Sequence, residues 1–189
     1  MEIEIMKLSL KKIAVALTLA GACAGANATT TPLGSLSAGA PTPFQGTVFT
    51  GGVFTDIFTF DLPANGGSGY SVLNFPLDIP GVGSFNTVFS MLSLVSNPDG
   101  IVGNGDDSQV AFASGGQNGL NALSLTFGPT AAGSMYLAVS GLANGTFPGG
   151  AGLYSGAISV TAPVPEPGTW AMLGLGVGMM GFALRRKMR

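Results

Sequence analysis

The sequence predicts an all-β fold: a single antiparallel β-sandwich, jelly-roll-like, over residues 29–162, with a hydrophobic segment at either end. Three observations predict it. Between Thr29 and Ala162, short apolar and Thr-rich runs alternate with clusters of Gly, Asn, Pro and Asp, the spacing of a sandwich. No helical stripe is present outside the two termini. A length of 189 residues allows one domain plus targeting segments.

Eight strands are expected, in the order Phe44 to Thr50, Val53 to Leu62, Tyr70 to Leu77, Thr87 to Val95, Gln109 to Ala113, Ala122 to Phe127, Ser134 to Ser140 and Leu153 to Thr161. Pro63-Ala64-Asn65-Gly66-Gly67 and Asn97-Pro98-Asp99-Gly100 supply turn chemistry between them. The best defined strand is Val53 to Leu62. Alternation puts Phe54, Asp56, Phe58, Phe60 and Leu62 on one face and Val53, Thr55, Ile57, Thr59 and Asp61 on the other. The aromatic face should be the core face, which surrounds the Asp56 carboxylate with rings.

Charge sharpens that expectation. All seven basic residues sit at the ends, Lys7, Lys11 and Lys12 at the start and Arg185, Arg186, Lys187 and Arg189 at the finish. From Ile13 to Leu184 there are seven acidic residues and no Lys or Arg, and the chain has no His. Asp56 therefore has no basic side chain to pair with. An isolated buried carboxylate is costly, so it must accept hydrogen bonds from backbone N–H groups or hydroxyls, bind a cation, or reach a sheet edge.

The same absences exclude classes of function. Nucleic-acid binding relies on Lys and Arg against phosphates, and the body of this chain offers neither. Without His there is no ordinary Ser-His or Cys-His nucleophile, and without Lys no Schiff base or phosphate clamp. The lone thiol, Cys23, lies in a segment expected to be removed, so no intramolecular disulfide framework is available. No catalytic residue, metal ligand or cofactor is expected.

The ends read as export signals. Lys7, Lys11 and Lys12, the apolar run Ile13 to Ala20, and Ala26-Asn27-Ala28 are the three parts of a signal peptide over residues 1–28. Cleavage after Ala28 starts the mature chain at Thr29. Leu19-Ala20-Gly21-Ala22-Cys23 offers a rival reading as a lipoprotein acylation site, weakened by Ala20 where Leu or Val is wanted. Glu2 and Glu4 are unusual in a basic leader, and initiation at Met6 would remove them. At the other end Trp170 to Leu184 is an uncharged apolar run before Arg185-Arg186-Lys187-Met188-Arg189. At about 1.5 Å per residue it reaches about 22 Å against a hydrocarbon core of about 30 Å, so it would span a bilayer marginally, as a temporary anchor does. Its basic cluster orients the tail with the end in the cytoplasm.

Immediately before that run stands Val164-Pro165-Glu166-Pro167-Gly168. Pro165-Glu166-Pro167, a short hydrophobic segment and an Arg-rich terminus together closely resemble the PEP-CTERM sorting signal of Gram-negative bacteria, here over residues 163–189. The resemblance implies a transmembrane sorting helix, transient residence in the inner membrane, processing by exosortase, and delivery to the cell surface or extracellular matrix of a producer of exopolysaccharide. Phe54-Thr55-Asp56-Ile57-Phe58 also fits the FxDxF pattern that names a subgroup of those proteins, with Leu33-Gly34-Ser35-Leu36 and Tyr154-Ser155-Gly156 in agreement. That likeness implies an address and a scaffold, not a reaction. The strand layout resembles bacterial pre-peptidase C-terminal sandwiches as well.

Two functions follow from different classes. The favoured one is a non-enzymatic surface or matrix protein of the exopolysaccharide or biofilm. The alternative is a carbohydrate- or calcium-binding adhesion module. For calcium, Asn97, Asp99, Asn104, Asp106 and Asp107 form the densest oxygen-rich segment, though without EF-hand order. For sugar stacking, Tyr70, Tyr136 and Tyr154 are the candidates, the phenylalanines reading mostly as core.

Overall fold

The computed structural model describes residues 28–163 and 167–187. Apart from Ala28, the expected signal peptide, including Ala26, lies outside the described residues, as do Pro165 and Glu166. Eleven strands and one helix are present among those described: β1 Thr30–Ser35, β2 Thr42–Val48, β3 Gly52–Leu62, β4 Gly67–Asn74, β5 Leu77–Ile79, β6 Gly83–Phe85, β7 Thr87–Ser96, β8 Ser108–Ser114, β9 Ala122–Phe127, β10 Gly133–Ala143, β11 Gly152–Thr161 and α1 Pro167–Lys187. The eight expected strands are β2, β3, β4 and β7 to β11, displaced by a few residues at their ends. Strands β1, β5 and β6 are additional.

One sheet has the order β1-β3-β10-β7-β8 and the other β2-β11-β4-β9, with β5 and β6 forming a separate two-stranded ribbon. The antiparallel pairs β7–β8, β4–β9, β3–β10 and β2–β11 are nested one inside the next along the chain. Contacts β10–β7 and β11–β4 close this folded-over ribbon into two four-stranded halves, which is jelly-roll order. The expectation of a purely antiparallel sandwich is corrected at one place. Strand β1 runs parallel to β3, from Thr30 opposite Ile57 to Ser35 opposite Asp61. It covers what would otherwise be an open sheet edge.

A single apolar core joins the two sheets. Phe54, Phe58, Phe60 and Leu62 of β3, Leu137 and Val139 of β10, and Phe89, Leu92 and Leu94 of β7 come from one side. Phe44, Val48, Tyr70, Val72, Tyr154, Ile158 and Val160 come from the other. Rings meet across the gap, Phe44 with Phe58 at 4.6 Å and Phe60 with Tyr70 at 6.1 Å between centroids. At one end of the sheets a chain of amides satisfies buried polar groups. Asn86 donates to Asn144 and Asn74 donates to Asn86, while the Thr87 N–H donates to Asn74.

The turns use the residues expected of them. Gly100 adopts φ 78° after Asn97-Pro98-Asp99, a value that an L-residue rarely takes, and its N–H donates to the Asn97 carbonyl. The Asn65 side chain bridges the Pro63 carbonyl and the Gly67 N–H in the other predicted turn.

The C-terminal segment is helical, as expected, but the transmembrane expectation is not met: among the described residues no helix is long and apolar enough to cross a membrane. The physical reason is the one already visible in its length, an uncharged run of about 22 Å closed by Arg185 and Arg186. Met172, Leu175 and Met179 on it are exposed all the same.

The β2–β11 pairing depends on close approach at Gly156. It lies opposite Phe44, and a Cβ there would collide with the Phe44 ring and with the Ser71 carbonyl. We expect Gly156→Ala to destabilise the domain by about 1–3 kcal/mol through overpacking. Denaturant melts measure it, and an unchanged midpoint would contradict the packing described.

Candidate functional site

Alternation along β3 holds as expected. Phe54, Asp56, Phe58, Phe60 and Leu62 are buried, whereas Val53 and Asp61 are exposed. Asp56 is only 3% exposed. Both of its oxygens are engaged. The Tyr154 hydroxyl donates to Oδ2. Thr29 donates twice to Oδ1, from its hydroxyl at 2.5 Å and from its backbone N at 3.2 Å. Hydrogen bonds to a carboxylate are about twice as strong as neutral ones, and here they are made with no basic side chain beside it. Hydroxyls and a backbone N–H are among the partners expected from the sequence.

Tyr154 is seated by aromatic rings and by an absent side chain. Phe54 stacks on it at 5.7 Å, and Phe58 and Phe89 meet it edge-on at 6.5 and 5.7 Å. Directly across the β2–β11 ladder is Gly46, where a Cβ would lie within the Tyr154 ring. Only glycine leaves that volume free. Burial first, then the hydrogen bond to Asp56 and its charge, push the Tyr154 hydroxyl far above its ordinary range. Tyr154 therefore stays a neutral donor. Phe54, Asp56 and Phe58 thus converge on one buried tyrosine from the far end of the chain. The arrangement anchors the carboxylate between residues from opposite ends of the domain, Thr29 and Tyr154.

Asp61, on the opposite face, accepts from the exposed Ser134 hydroxyl at 2.7 Å. In the oxygen-rich loop Asp99 and Asp107 each accept two hydrogen bonds. Asp99 accepts from the Ile101 N–H and from Asn104, and Asp107 accepts from the Gly103 N–H and the Tyr136 hydroxyl. Among the described residues no group of three or more His, Cys, Asp or Glu could hold a metal ion.

The tyrosines proposed for sugar stacking are corrected. Tyr70 and Tyr154 are core residues and Tyr136 is half-buried with its hydroxyl on Asp107, because each ring packs while its hydroxyl finds a polar partner. Among the described residues the exposed rings are instead Phe49, Phe75 and Phe112.

Beyond the last strand, Ala162 and Pro163 are exposed and α1 opens at Pro167. A proline suits a first helical position, since its missing N–H would have had no partner. The Pro-Glu-Pro order, the helix and the basic end coincide in one segment. Residues 163–187 match the PEP-CTERM protein-sorting motif. This motif implies an exported protein sorted by exosortase, with transient passage through the membrane of a Gram-negative bacterium. Of the expected motif residues Pro167 is the first residue of α1, and Ala28, of the expected cleavage site, is exposed.

No curated protein matches the sequence. Among solved structures, the chain is similar to the pre-peptidase C-terminal domain of collagenase from Bacillus anthracis, with 21% identity and a TM-score of 0.37, covering 69% of this chain and 94% of that one. It is similar to PliG of Aeromonas hydrophila, a periplasmic inhibitor of g-type lysozyme, at 18% identity and a TM-score of 0.38 over 72% and 100% of the two chains. CorA of Methylomicrobium album BG8, a surface-associated copper-binding protein, shares 9% identity at a TM-score of 0.40 over 70% and 99%. These likenesses carry no functional argument.

Two outcomes test the Asp56 site. Asp56→Ala leaves the Tyr154 hydroxyl and Thr29 donors unsatisfied and should cost about 1–3 kcal/mol in denaturant melts, whereas Asp61→Ala should change stability by less than about 0.5 kcal/mol. Equal effects would contradict the assignment of faces. The second outcome concerns alkali. The folded state raises the Tyr154 pKa above its ordinary 10.0, so that contribution is complete below about pH 10 and is lost as pH rises further. Tyr154 should form tyrosinate only as the domain unfolds, followed by tyrosinate absorbance together with circular dichroism. A Tyr154 signal that titrates near pH 10 in folded protein would contradict its burial.

Proposed function

We propose that this chain is a non-enzymatic, exported surface or matrix protein of the FxDxF subgroup, released from its C-terminal tail by exosortase and associated with exopolysaccharide or biofilm. The observation that carries this reading is the coincidence of the sorting motif with a helix that exposes Met172, Leu175 and Met179, after a sandwich complete in itself. A buried Asp56 with all its donors supplied within the fold supports a scaffold over an enzyme. The tail serves as a temporary hold on the inner membrane, and its marginal length favours later removal over permanent residence. Glu166 is the one charge between the last strand and the basic end, a natural handle for a processing enzyme.

The decisive experiment is mass spectrometry of the protein from a host with exosortase. The mature form should lack Trp170 to Arg189. Deleting exosortase, or changing Pro165, Glu166 and Pro167 to alanine, should leave the tail attached and the protein in the inner membrane. A tail that persists in the unmodified host would overturn the processing reading. Pull-down on the producer's own polysaccharide, with and without calcium, separates a matrix scaffold from the adhesion module, which alone predicts calcium-dependent binding.

A further inference from the structure

Thr29 is an exposed residue held unusually well. Its carbonyl accepts from the Ile57 N–H at 2.7 Å, its hydroxyl donates to Asp56 Oδ1 at 2.5 Å, and its backbone nitrogen lies 3.2 Å from the same oxygen. The preceding residue, Ala28, is exposed and is the one after which the signal peptide is expected to end. We infer that signal-peptide removal turns the Thr29 nitrogen into an α-ammonium ion that pairs with Asp56, so that the mature amino terminus is the cation this domain's sequence otherwise lacks.

The chemistry is hydrolysis. The Ala28–Thr29 amide C–N bond breaks, the hydroxyl of water goes to the Ala28 carboxyl, and its hydrogen goes to the Thr29 nitrogen, which takes up a further proton near neutral pH. A planar amide with one hydrogen and no charge becomes a tetrahedral donor with three hydrogens and a full positive charge, beside a carboxylate that is nearly out of water. The groups packed around Asp56 leave that role open. Phe54 and Phe58 flank it on β3, Val139 faces it from β10, and Tyr154 supplies a neutral hydroxyl from β11. No Lys or Arg occurs between residues 13 and 184. Processing therefore completes the fold at the edge where β1 joins β3. The precursor has the hydrogen bond but not the ion pair.

This inference rests on export through a cleaved signal peptide, and the test separates the two. The mature exported chain is compared with one carrying Ser inserted between Ala28 and Thr29, which moves the ammonium one residue away from Asp56 and leaves the amide in place. Near pH 6 the unmodified chain should melt roughly 3–6 °C higher. The gap should vanish when both chains carry Asp56→Asn. A paired ammonium has a raised pKa, so the gap should be full from about pH 6 to about pH 7.7 and close as pH rises through the raised value. NMR titration of the α-amino group of the unmodified chain reads that value directly, whether or not the Asp56 variants fold. Equal melting of the two chains, or an α-amino pKa within about 7.7–8.0, would overturn the ion pair while leaving export intact. A mature chain beginning anywhere other than Thr29 would overturn the inference at its premise.

Discussion

A carboxylate buried without a basic side chain is the constraint on which this molecule turns. Asp56 sits at the centre of the aromatic face of β3, and every charged side chain between residues 13 and 184 is acidic. Left alone, such a group would weaken the core by several kcal/mol. The fold resolves this by bringing donors from opposite ends of the domain, Thr29 ahead of β1 and Tyr154 on β11. Each donor also does a second thing. Thr29 leads into the strand that covers the edge of β3, and Tyr154 fills the volume vacated by Gly46.

The jelly-roll order makes that convergence possible. Because the strand pairs are nested, the outermost pair β2–β11 is laid over the next pair β3–β10, on opposite sheets. Residues 98 apart in sequence then face one another across the core, as Asp56 and Tyr154 do. A hydrogen bond of that separation forms only when the whole ribbon has folded over. Contacts of such high sequence separation carry a large loop-closure cost, so the Asp56–Tyr154 link reports the completed topology and not any local element.

How much of this was legible in the sequence follows the range of the interactions. The face of β3 could be read from period two alone, because Phe54, Asp56, Phe58 and Phe60 are neighbours along one strand. The eight principal strands carried their own apolar alternation. Strand β1 did not: Thr30-Thr31-Pro32-Leu33-Gly34-Ser35 is almost wholly exposed and owes its conformation to the edge of β3. Strands β5 and β6 have three residues each, too few for a period to show. At the site, a hydrogen-bonded Asp56 was predictable from burial and charge, whereas the identity of its partners was not. Tyr154 looked like a surface aromatic because nothing near it in sequence reveals that Gly46 makes room for its ring.

The distribution of charge connects the fold to the route the chain takes. Basic residues confined to both ends suit a chain whose ends engage the membrane, because Lys and Arg beside an apolar segment fix its orientation. Once they are excluded from the body, the domain cannot use side-chain ion pairs at all. Hydroxyls, main-chain N–H groups and one side-chain amide serve Asp56, Asp61, Asp99 and Asp107 instead. Ser, Thr, Asn and Gly then carry the polar work that Lys and Arg do elsewhere. Composition and topology are in this sense one constraint: with no basic side chain in the body, the nested fold brings donors from distant strands to the carboxylate it buries, as Tyr154 is brought to Asp56.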